Sequence, residues 1–498
     1  MATSLLNLYS ITINENFMKE PYTLTMTEAA KMLKEGTLTS VELTKACLDQ
    51  IKKQEPEIHA FITVTEDLAI SQAQAADKRI KTEKNVTPLT GIPYSMKDVY
   101  NVKNVLTTAG SNMLRDYISP YSATVYKKLN DAGAVLLGKT NCDPFGFGAS
   151  TEHSAFGPTK NPHDPTRVPG GSSGGSGAAV VYGGGLFSIA EDTGGSIRCP
   201  AACCGVVGLK PTYGRVSRYG AIAFASSFDS MGPIAKTCED TALIMECIAG
   251  KDPKDATSSS RDVPSYSMHI NDTIKGKTIG IPHEYFGEGL DPQISTALQE
   301  AQKSFESLGC TLKPVSLPST EFAIPTYYII GTSEASSNLA RYDGIRYGYK
   351  KEAADWSDYM TNVRTAGFSN PEELRRIMLG TYTLSAGYAD KYYKKAQGVR
   401  ALLRRDFERV FNDIDVILTP TMPVLPFKLG EKLDDPLQLW LIDAYTAAIN
   451  PSGLPALSTP VHKKNSLPIG MQLIAPHFRE ALLLNFGHVF EKSWNMNQ

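Results

Sequence analysis

Apolar and polar residues follow one another along the chain with two periods, one typical of helices and one typical of strands. Near the start, Thr25 and Thr39 are each followed three residues later by a glutamate and then by regularly spaced apolar residues, which predicts two capped helices. We expect the second helix to end before Pro56, because proline has no backbone N–H to donate inside a helix. A strand over 58–64 and an alanine-rich helix over 68–79 are predicted to follow.

The rest of the chain reads as further strands and helices, without an internal repeat or a linker. Short apolar runs predict strands over 91–98, 134–137, 187–190, 278–281, 311–315, 416–420 and 470–474. Helical spacing predicts helices over 122–132, 238–249, 292–308, 332–343 and 371–411. Because strands come from both ends of the chain, we predict a single large α/β domain with a mixed central β-sheet flanked by helices. This domain is placed at residues 25–490, between an N-terminal extension over 1–24 and a C-terminal tail over 491–498.

The predicted helix over 371–411 carries a stripe of apolar and aromatic residues that recurs every three to four positions. The stripe includes Tyr388 and Tyr392 and continues to Val410. Residues with this spacing usually face a core, so we expect the two tyrosines to be buried.

Residues 133–140 read GAVLLGKT and match the phosphate-loop pattern G-x-x-x-x-G-K-[ST] letter for letter. A phosphate loop needs exposed residues between its glycines, whereas Ala-Val-Leu-Leu favours a buried strand. The residues that follow, Asn141 to Pro144, are typical of a turn rather than of the start of a helix. We therefore predict a core strand, and a nucleotide site at Lys139 is the alternative that direct ATP binding by the isolated chain would support.

Composition and charge are those of an ordinary globular enzyme. Of the 498 residues, 42% are hydrophobic and 20% are charged, and 50 basic residues nearly balance 52 acidic ones, for a net charge of −2. This balance provides no broad basic surface for nucleic acid or membrane. The start of the chain lacks the basic segment and apolar core of a secretion signal, and no long apolar run occurs, so we expect a cytoplasmic protein without membrane contact.

The cysteines do not show the regular spacing of a disulfide framework. Cys199, Cys203 and Cys204 lie close together, as ligands of a metal site can. Histidine and a second cysteine pair at ligand spacing are missing, so we predict buried free thiols and no metal site.

Two serine clusters lie in a glycine-rich stretch over 168–212. In the second cluster, residues 193–195 precede Ser196 without bulky side chains, so that their backbone N–H groups can converge on one oxygen beside a nucleophile. No histidine lies close to Ser196 in the sequence, although a distant histidine stays open as its base. A lysine whose pKa is lowered by burial can act as the base instead, and Lys97 ends an apolar segment.

Other interpretations of these residues remain open. Ser196 can be a capping serine in an ordinary glycine turn, and Lys97 can be a solvated surface amine. The residues from Gly170 to Gly174 also fit the G-x-S-x-G pattern of a nucleophile elbow with Ser172 as its serine. That pattern requires an apolar strand directly before it, which Arg167-Val168-Pro169 does not provide.

The serine clusters read PGGSSGGS over 169–176 and DTGGSIR over 192–198, and they resemble the signature of the amidase signature family. As in that family, Ser172 and Ser196 are 24 residues apart. The resemblance implies a Ser-cisSer-Lys triad with Ser196 as nucleophile, Ser172 as bridging serine, Lys97 as base, and a cis peptide bond before Ser172. It also implies an oxyanion hole formed by the N–H groups of Thr193, Gly194, Gly195 and Ser196.

The flanking segments extend the resemblance to residues 25–490. They read GVVGLKPTYGRVSRYG over 205–220 and FASSFD over 224–229, and they are similar to the glutaminase subunits of tRNA-dependent amidotransferases within this family. The resemblance implies that Arg376 holds the carboxylate of glutamine, that Asp443 holds its α-ammonium group, and that Tyr327 lines the pocket. It further implies a heterotrimer with partner subunits B and C, which bind misacylated Glu-tRNA(Gln) or Asp-tRNA(Asn) and use ATP and Mg²⁺, with no cofactor in this chain.

Two residues depart from the family pattern beside the predicted triad. Val99 stands where asparagine is usual, and Glu191 stands where serine is usual, while the triad residues are unchanged. Two other functions remain open. A stand-alone amidase for small or aryl amides would keep its turnover after Arg376→Ala, and a catalytically silent scaffold subunit would form no acyl-enzyme at Ser196.

Overall fold

The computed structural model describes residues 19–83, 86–461 and 466–496. These residues form one sheet of eleven strands. In chain order the strands are β1 (Phe61–Val64), β2 (Pro93–Lys97), β3 (Val135–Thr140), β4 (Phe187–Asp192), β5 (Val207–Lys210), β6 (Ser230–Ala235), β7 (Thr278–Pro282), β8 (Thr311–Val315), β9 (Val416–Pro420), β10 (Ala456–Pro460) and β11 (Gly470–Ile474).

Helices cover the sheet and connect its strands. In chain order they are α1 (Met26–Glu35), α2 (Ser40–Ile58), α3 (Glu66–Thr82), α4 (Thr124–Asp131), α5 (Gly174–Tyr182), α6 (Arg198–Cys204), α7 (Cys238–Ile248), α8 (Pro292–Ser307), α9 (Ala323–Leu339), α10 (Trp356–Gly367), α11 (Pro371–Leu384), α12 (Tyr393–Val410), α13 (Pro436–Leu441), α14 (Ile449–Ser452) and α15 (Glu480–Met496). Among the described residues, no helix combines the length and apolar character needed to cross a bilayer.

The strand order across the sheet is β1-β3-β2-β4-β6-β5-β10-β11-β9-β7-β8. β2 runs parallel to both β3 and β4, and β7 runs parallel to both β8 and β9. The other neighbouring strands are antiparallel. Strands from the two ends of the chain therefore meet in one mixed sheet, which confirms the predicted α/β domain.

The two capping boxes near the start are both present. The Thr25 and Thr39 side chains accept hydrogen bonds from the backbone N–H groups of Glu28 and Glu42. In return, each glutamate side chain accepts a hydrogen bond from the backbone N–H of its threonine. The prediction that α2 ends before Pro56 is wrong, because the helix continues to Ile58.

Two features explain how α2 continues past its proline. The Ile58 side chain is buried, so the last turn gains apolar contact that offsets the missing hydrogen bond. In the same turn the Glu55 carboxylate accepts the N–H groups of Ala60 at 2.9 Å and Phe61 at 3.0 Å, which caps the chain as it leaves the helix.

The helix predicted over 371–411 is two helices, α11 and α12. The chain breaks between them near Gly387, which has a left-handed φ of 81°. The expected burial of two tyrosines is wrong, since Tyr388 is 39% exposed and Tyr392 is 37% exposed. Both lie in the break, where they pack against Tyr382 on the surface, while the stripe beyond them is buried from Ala396 onward.

Three strands were not predicted, namely β5, β6 and β10. β6 reads SMGPIA and contains both glycine and proline, which disfavour a strand in isolation. It is nevertheless paired on both sides, with β4 and β5, so the sheet rather than local preference determines its conformation.

The described residues extend the domain at both of the boundaries that the sequence indicated. Pro21–Thr23 forms a short 3-10 turn, and Lys236 Nζ donates to the carbonyls of Tyr22 and Leu24 at 2.9 Å. At the other end, α15 continues beyond residue 490, and the Glu491 carboxylate accepts the N–H of Cys238 at 3.1 Å. Residues 1–18 of the expected extension and the last two residues of the expected tail lie outside the described residues.

The phosphate-loop match lies on β3, as the apolar spacer predicted. All six residues of this strand are buried, and Lys139 Nζ contacts Asp98 Oδ1 at 2.8 Å in a fully buried ion pair. Asp98 also accepts the backbone N–H of Thr108 at 2.8 Å. Lys139 thus holds the turn that directly follows Lys97.

Lys139→Ala should lower the free energy of unfolding by about 3–5 kcal/mol, because it leaves the Asp98 carboxylate buried without its counter-ion. Urea denaturation followed by far-UV circular dichroism measures this change. Lys127→Ala removes an exposed lysine nearby and should change the value by less than about 0.5 kcal/mol. Equal stability of the two variants would contradict a structural role for Lys139.

Candidate active site

Lys97 is the last residue of β2, beside the parallel strand β4. Its side chain is fully buried, and Nζ lies 2.8 Å from Ser172 Oγ and 2.8 Å from Glu191 Oε2. Glu191 comes from β4 itself. Because neighbouring parallel strands end at the same edge of a sheet, the fold brings these groups together from distant parts of the chain.

Ser172 lies in the loop that leads into α5. Gly170 and Gly171, with left-handed φ values of 81° and 59°, turn this loop toward Lys97. The expected cis peptide bond before Ser172 is wrong for this structure, in which that bond is trans. The two glycines supply the sharp turn that brings Ser172 Oγ to Lys97 Nζ. The expected contact between these two atoms is therefore present with a trans peptide bond.

Ser196 lies at the end of the second serine cluster and is 7% exposed. Its Oγ accepts the backbone N–H of Ser172 at 3.0 Å, whereas no hydrogen bond joins the two serine hydroxyls. The three side chains predicted as a triad are therefore neighbours, with the Lys97–Ser172 contact formed and the Ser172–Ser196 hydroxyl contact open. Rotation of a serine about its Cα–Cβ bond moves its hydroxyl between such partners.

A buried ion pair holds the turn that carries Ser196. Arg198 forms two hydrogen bonds with Asp192, from Nε at 3.0 Å and from Nη2 at 2.9 Å. Although burial raises the pKa of Asp192, the charge and hydrogen bonds of Arg198 lower it to about 2. Asp192 is thus ionised at neutral pH, and it also accepts the N–H of Ile197 at 3.1 Å.

Arg198 ties the same turn to the C-terminal part of the chain. Its Nη1 donates to Gln472 Oε1 at 2.7 Å, and its Nη2 donates to Asn450 Oδ1 at 2.7 Å. Asn450 returns a hydrogen bond to the Asp192 carbonyl at 2.9 Å. The nucleophile turn is consequently fixed on both sides by residues that follow it by about half the chain.

The residues predicted to form an oxyanion hole lie in this turn. The N–H groups of Gly194, Gly195 and Ser196 donate to no other described residue, which leaves them available to an oxygen of a ligand. A side chain at Gly194 would meet Tyr327, since a Cβ there would lie 2.5 Å from the ring carbon that bears the hydroxyl. On the other side, Thr446 Oγ1 donates to the Gly194 carbonyl at 2.6 Å.

Arg376 of α11 is only 2% exposed, yet its terminal nitrogens have no hydrogen-bond partner among the described residues. Its Nε donates to Glu372 Oε1 at 2.7 Å. The guanidinium carbon lies 5.4 Å from the centre of the Phe147 ring and 5.2 Å from that of Tyr328. The rings and Glu372 hold the guanidinium in one orientation, with its outer nitrogens free to bind an anion.

Asp443 lies in the 3-10 turn Ile442–Tyr445, directly after α13. The Tyr328 hydroxyl donates to its Oδ2 at 3.2 Å. Burial raises the pKa of Asp443 to about 7, although the charge of Arg376 and the Tyr328 hydrogen bond oppose the shift. The pocket therefore contains a buried cation and a carboxyl group that ionises near neutral pH.

Tyr327 and Tyr328 connect this pocket to the nucleophile turn. They are neighbours in α9, with ring centres 4.9 Å apart, and Tyr327 faces Gly194 while Tyr328 contacts Asp443. The structure thus places all three predicted binding residues, Tyr327, Arg376 and Asp443, on one side of the turn. Their roles stay predictions.

Sequence reasoning missed several residues that shape the site. From the sequence, Glu191 was identified only as a departure from the family pattern. Its position directly before the Asp-Thr-Gly-Gly-Ser run was the signal that could have placed it in the site. The others are Tyr328, Glu372 and Thr446, and they lack any local signal. They contact the site only because α9, α11 and the turn after α13 converge on it.

The three clustered cysteines lie behind the serine loops. Cys199, Cys203 and Cys204 are buried free thiols, and burial raises the pKa of each. The described residues contain no group of three or more His, Cys, Asp or Glu side chains able to hold a metal ion.

A serine at a glycine-rich turn, a second serine, and a buried lysine bonded to that second serine are the arrangement of a serine–lysine hydrolase. The family model for amidases matches residues 42–484. The chain therefore belongs to the amidase family.

Relatives of named function cover nearly the whole chain. The A subunit of glutamyl-tRNA(Gln) amidotransferase from Coxiella burnetii is 50% identical over 469 residues, covering 94% of this chain and 97% of the relative. The protein of the same name from Chloroflexus aurantiacus is 51% identical over 475 residues, covering 95% and 97%. The crystal structure of its namesake from Thermotoga maritima superposes with a TM-score of 0.80 at 40% identity, covering 95% of this chain and 96% of that one.

Thr446→Val should lower the rate of amide hydrolysis by roughly 10- to 100-fold, because it removes the hydroxyl that holds the Gly194 carbonyl and so loosens the oxyanion turn. Steady-state kinetics on an amide substrate measure the change. Thr446→Ser keeps the hydroxyl and should retain most of the rate. Equal losses in the two variants would show that packing, and not the hydrogen bond, matters at this position.

Proposed function

We propose that this chain is the glutaminase subunit of a tRNA-dependent amidotransferase. In this proposal Ser196 hydrolyses glutamine to glutamate, and the ammonia converts Glu-tRNA(Gln) to Gln-tRNA(Gln) on a partner subunit. The observation that carries the proposal is the pairing of Arg376 and Asp443, a buried cation and a buried carboxyl, beside the turn of a hydrolytic serine. The names of the relatives point to the same activity.

The proposed catalytic step uses the Lys97–Ser172 contact and requires the Ser196 and Ser172 hydroxyls to turn toward each other. Ser196 Oγ attacks the side-chain amide carbon of glutamine, and its proton passes through the Ser172 hydroxyl to the neutral amine of Lys97. The negative charge that develops on the carbonyl oxygen is stabilised by N–H groups of Thr193, Gly194, Gly195 and Ser196. Lys97 then returns the proton through Ser172 to the leaving nitrogen, which departs as ammonia. Water hydrolyses the acyl-ester by the same route in reverse.

The pocket suits the amino-acid end of glutamine. The planar fork of Arg376 matches a carboxylate, and ionised Asp443 matches an α-ammonium group. Tyr327 covers the space between this end and the nucleophile turn. An apolar or aryl amide would leave both charged groups buried without partners, which is unfavourable. The pocket is therefore better suited to glutamine than to the substrates of a stand-alone aryl amidase.

The partners in this proposal are amidotransferase subunits B and C, which together with this chain form a heterotrimer in the cytoplasm. The tRNA is bound mainly through the partner, in keeping with the nearly balanced charge of this chain. ATP and Mg²⁺ are used by the partner that carries out the amidation, and no cofactor is assigned to this chain.

Ser196→Ala should reduce ammonia release from glutamine by more than about 10³-fold in the purified three-subunit complex, because no other group forms the acyl-ester. Coupled detection of ammonia measures the rate, and mass spectrometry of the wild type detects the acyl-enzyme. Ser173→Ala removes the adjacent hydroxyl, which bonds to the Glu191 carbonyl, and serves as the matched control.

Three results would contradict the proposal. Ammonia release that survives Ser196→Ala would place the nucleophile elsewhere. Turnover of small amides that is unchanged by Arg376→Ala, together with no release from glutamine, would favour a stand-alone amidase. Absence of any acyl-enzyme in the wild-type complex would favour a silent scaffold subunit.

Binding of glutamine should depend on pH through Asp443. With a pKa near 7, this carboxyl is ionised at pH 8 and mostly neutral at pH 6, so the KM for glutamine should rise roughly tenfold as the pH falls across that interval. Asp443→Asn should abolish the dependence. Tyr328→Phe removes a hydrogen bond that lowers this pKa and should move the midpoint upward. A KM that stays constant from pH 6 to pH 8 in the wild type would rule out this role of Asp443.

A further inference from the structure

Glu191 accepts a hydrogen bond from Lys97 but has no part in the triad mechanism. Its carboxylate is buried, and one oxygen lies 2.8 Å from Lys97 Nζ. Gly146 lies beside both groups, since a Cβ there would lie 3.3 Å from Glu191 Oε2 and 3.7 Å from Ser172 Oγ. The carboxylate and the bridging serine therefore lie together under the loop at Gly146, on the same amine.

A chain of oxygen atoms continues from Glu191 to a second carboxyl group. Thr193 Oγ1 contacts Glu191 Oε1 on one side and lies 2.7 Å from Asp229 Oδ1 on the other. A threonine hydroxyl has a single proton and can donate to only one of the two carboxyl oxygens. The second contact therefore needs a proton on one of the two carboxyl groups. The Glu191–Thr193–Asp229 chain thus holds this proton in addition to the proton of the threonine hydroxyl.

The surroundings place that proton on Asp229. This side chain is buried, and although the N–H groups of Phe224 and Ala225 that donate to it at 3.0 Å favour its ionised form, burial outweighs them. Burial and the nearby Glu191 charge raise the pKa of Asp229 to about 8. A neutral Asp229 leaves Glu191 as the carboxyl group that contacts Lys97 Nζ.

Other charged or titratable groups around this network have partners of their own or carry no charge at neutral pH. Asp98 is paired with Lys139, and Asp192 is paired with Arg198. Burial raises the pKa of Asp143, whose carboxylate accepts the N–H groups of Thr151 and His153. Further groups near the network among the described residues are Tyr100, whose hydroxyl donates to the Ala190 carbonyl, Cys142, Tyr213, Tyr327 and Arg218, which is paired with Asp255.

We propose that Glu191 is a positioning residue that holds Lys97 against Ser172 and accepts the proton that the Lys97 ammonium group must lose. Protonated Asp229 is joined to Glu191 through the Thr193 hydroxyl, so that the two neighbouring carboxyl groups are not both charged. This inference rests on the proposed function, since it assigns a further role within the same site.

The proton balance is closed within the pair. At rest, Lys97 and Glu191 share one exchangeable proton. Its transfer from the ammonium group to the Glu191 carboxylate leaves a neutral amine, and that amine accepts the proton that Ser196 loses through Ser172. After the leaving nitrogen has taken this proton back, Lys97 is neutral again. Glu191 therefore allows the amine to be deprotonated without release of a proton to solvent.

The experiment measures how fast a fluorophosphonate probe labels Ser196 in the three-subunit complex between pH 5 and pH 10, by mass spectrometry. This readout needs the activated serine but not glutamine, so it tests the inference even where ammonia release fails. The variants are Glu191→Gln and Glu191→Asp, with Glu55→Gln as the control at a half-buried carboxylate remote from the site. Thermal unfolding confirms that each variant is folded, and Glu191→Ser replaces Glu191→Gln where it is not.

Glu191→Gln should label roughly 10- to 100-fold more slowly at its highest rate, because Lys97 is no longer held against Ser172, and the rise of its rate with pH should move to lower pH, because a buried ammonium group without a counter-charge is disfavoured. Glu191→Asp should keep the wild-type pH profile, and Glu55→Gln should match the wild type. A Glu191→Gln rate that is lowered equally at every pH, or is unchanged, would overturn the proposal. Wild-type labelling without ammonia release would contradict the proposed function alone.

Discussion

The burial of one amine governs the architecture of this site. Lys97 lies at the end of a central strand, out of contact with solvent, and its ammonium form needs a counter-charge while its neutral form needs a hydrogen-bond partner. Glu191 supplies the first and Ser172 supplies the second. Both must lie within hydrogen-bond distance of one atom, so the positions of β2, β4 and the glycine loop before α5 are mutually constrained.

The parallel and antiparallel parts of the sheet contribute differently to this constraint. The parallel pairing of β2 and β4 aligns the ends that carry Lys97 and Glu191, and the antiparallel strand β6 brings Asp229 to the same edge. The second half of the chain adds the pocket, through α9, α11 and the turn after α13. The residues proposed for catalysis and those proposed for binding thus come from separate parts of the chain that meet at the glycine-rich turn around Ser196.

Much of the fold could be predicted from the sequence where a local signal was strong. The capping boxes at Thr25 and Thr39 and the strands β9 and β11 are of this kind. The triad residues were identified by resemblance, but their contacts depend on strand order, which spacing does not reveal. β6 was missed because its pairing with neighbouring strands outweighs the unfavourable effect of its glycine and proline. The surface position of Tyr388 was missed because the helix breaks there, so the helical spacing no longer determines which side chains face the core.

The clamp that Arg198 forms with Asn450 and Gln472 has a consequence for biosynthesis. Both acceptors are made late, when most of the chain has already left the ribosome, and β10 and β11 must join the sheet before they can take their places. In a nascent polypeptide the loop that carries Ser196 therefore lacks these contacts until translation is nearly finished. The turn can take its final geometry only after the last strands have joined the sheet.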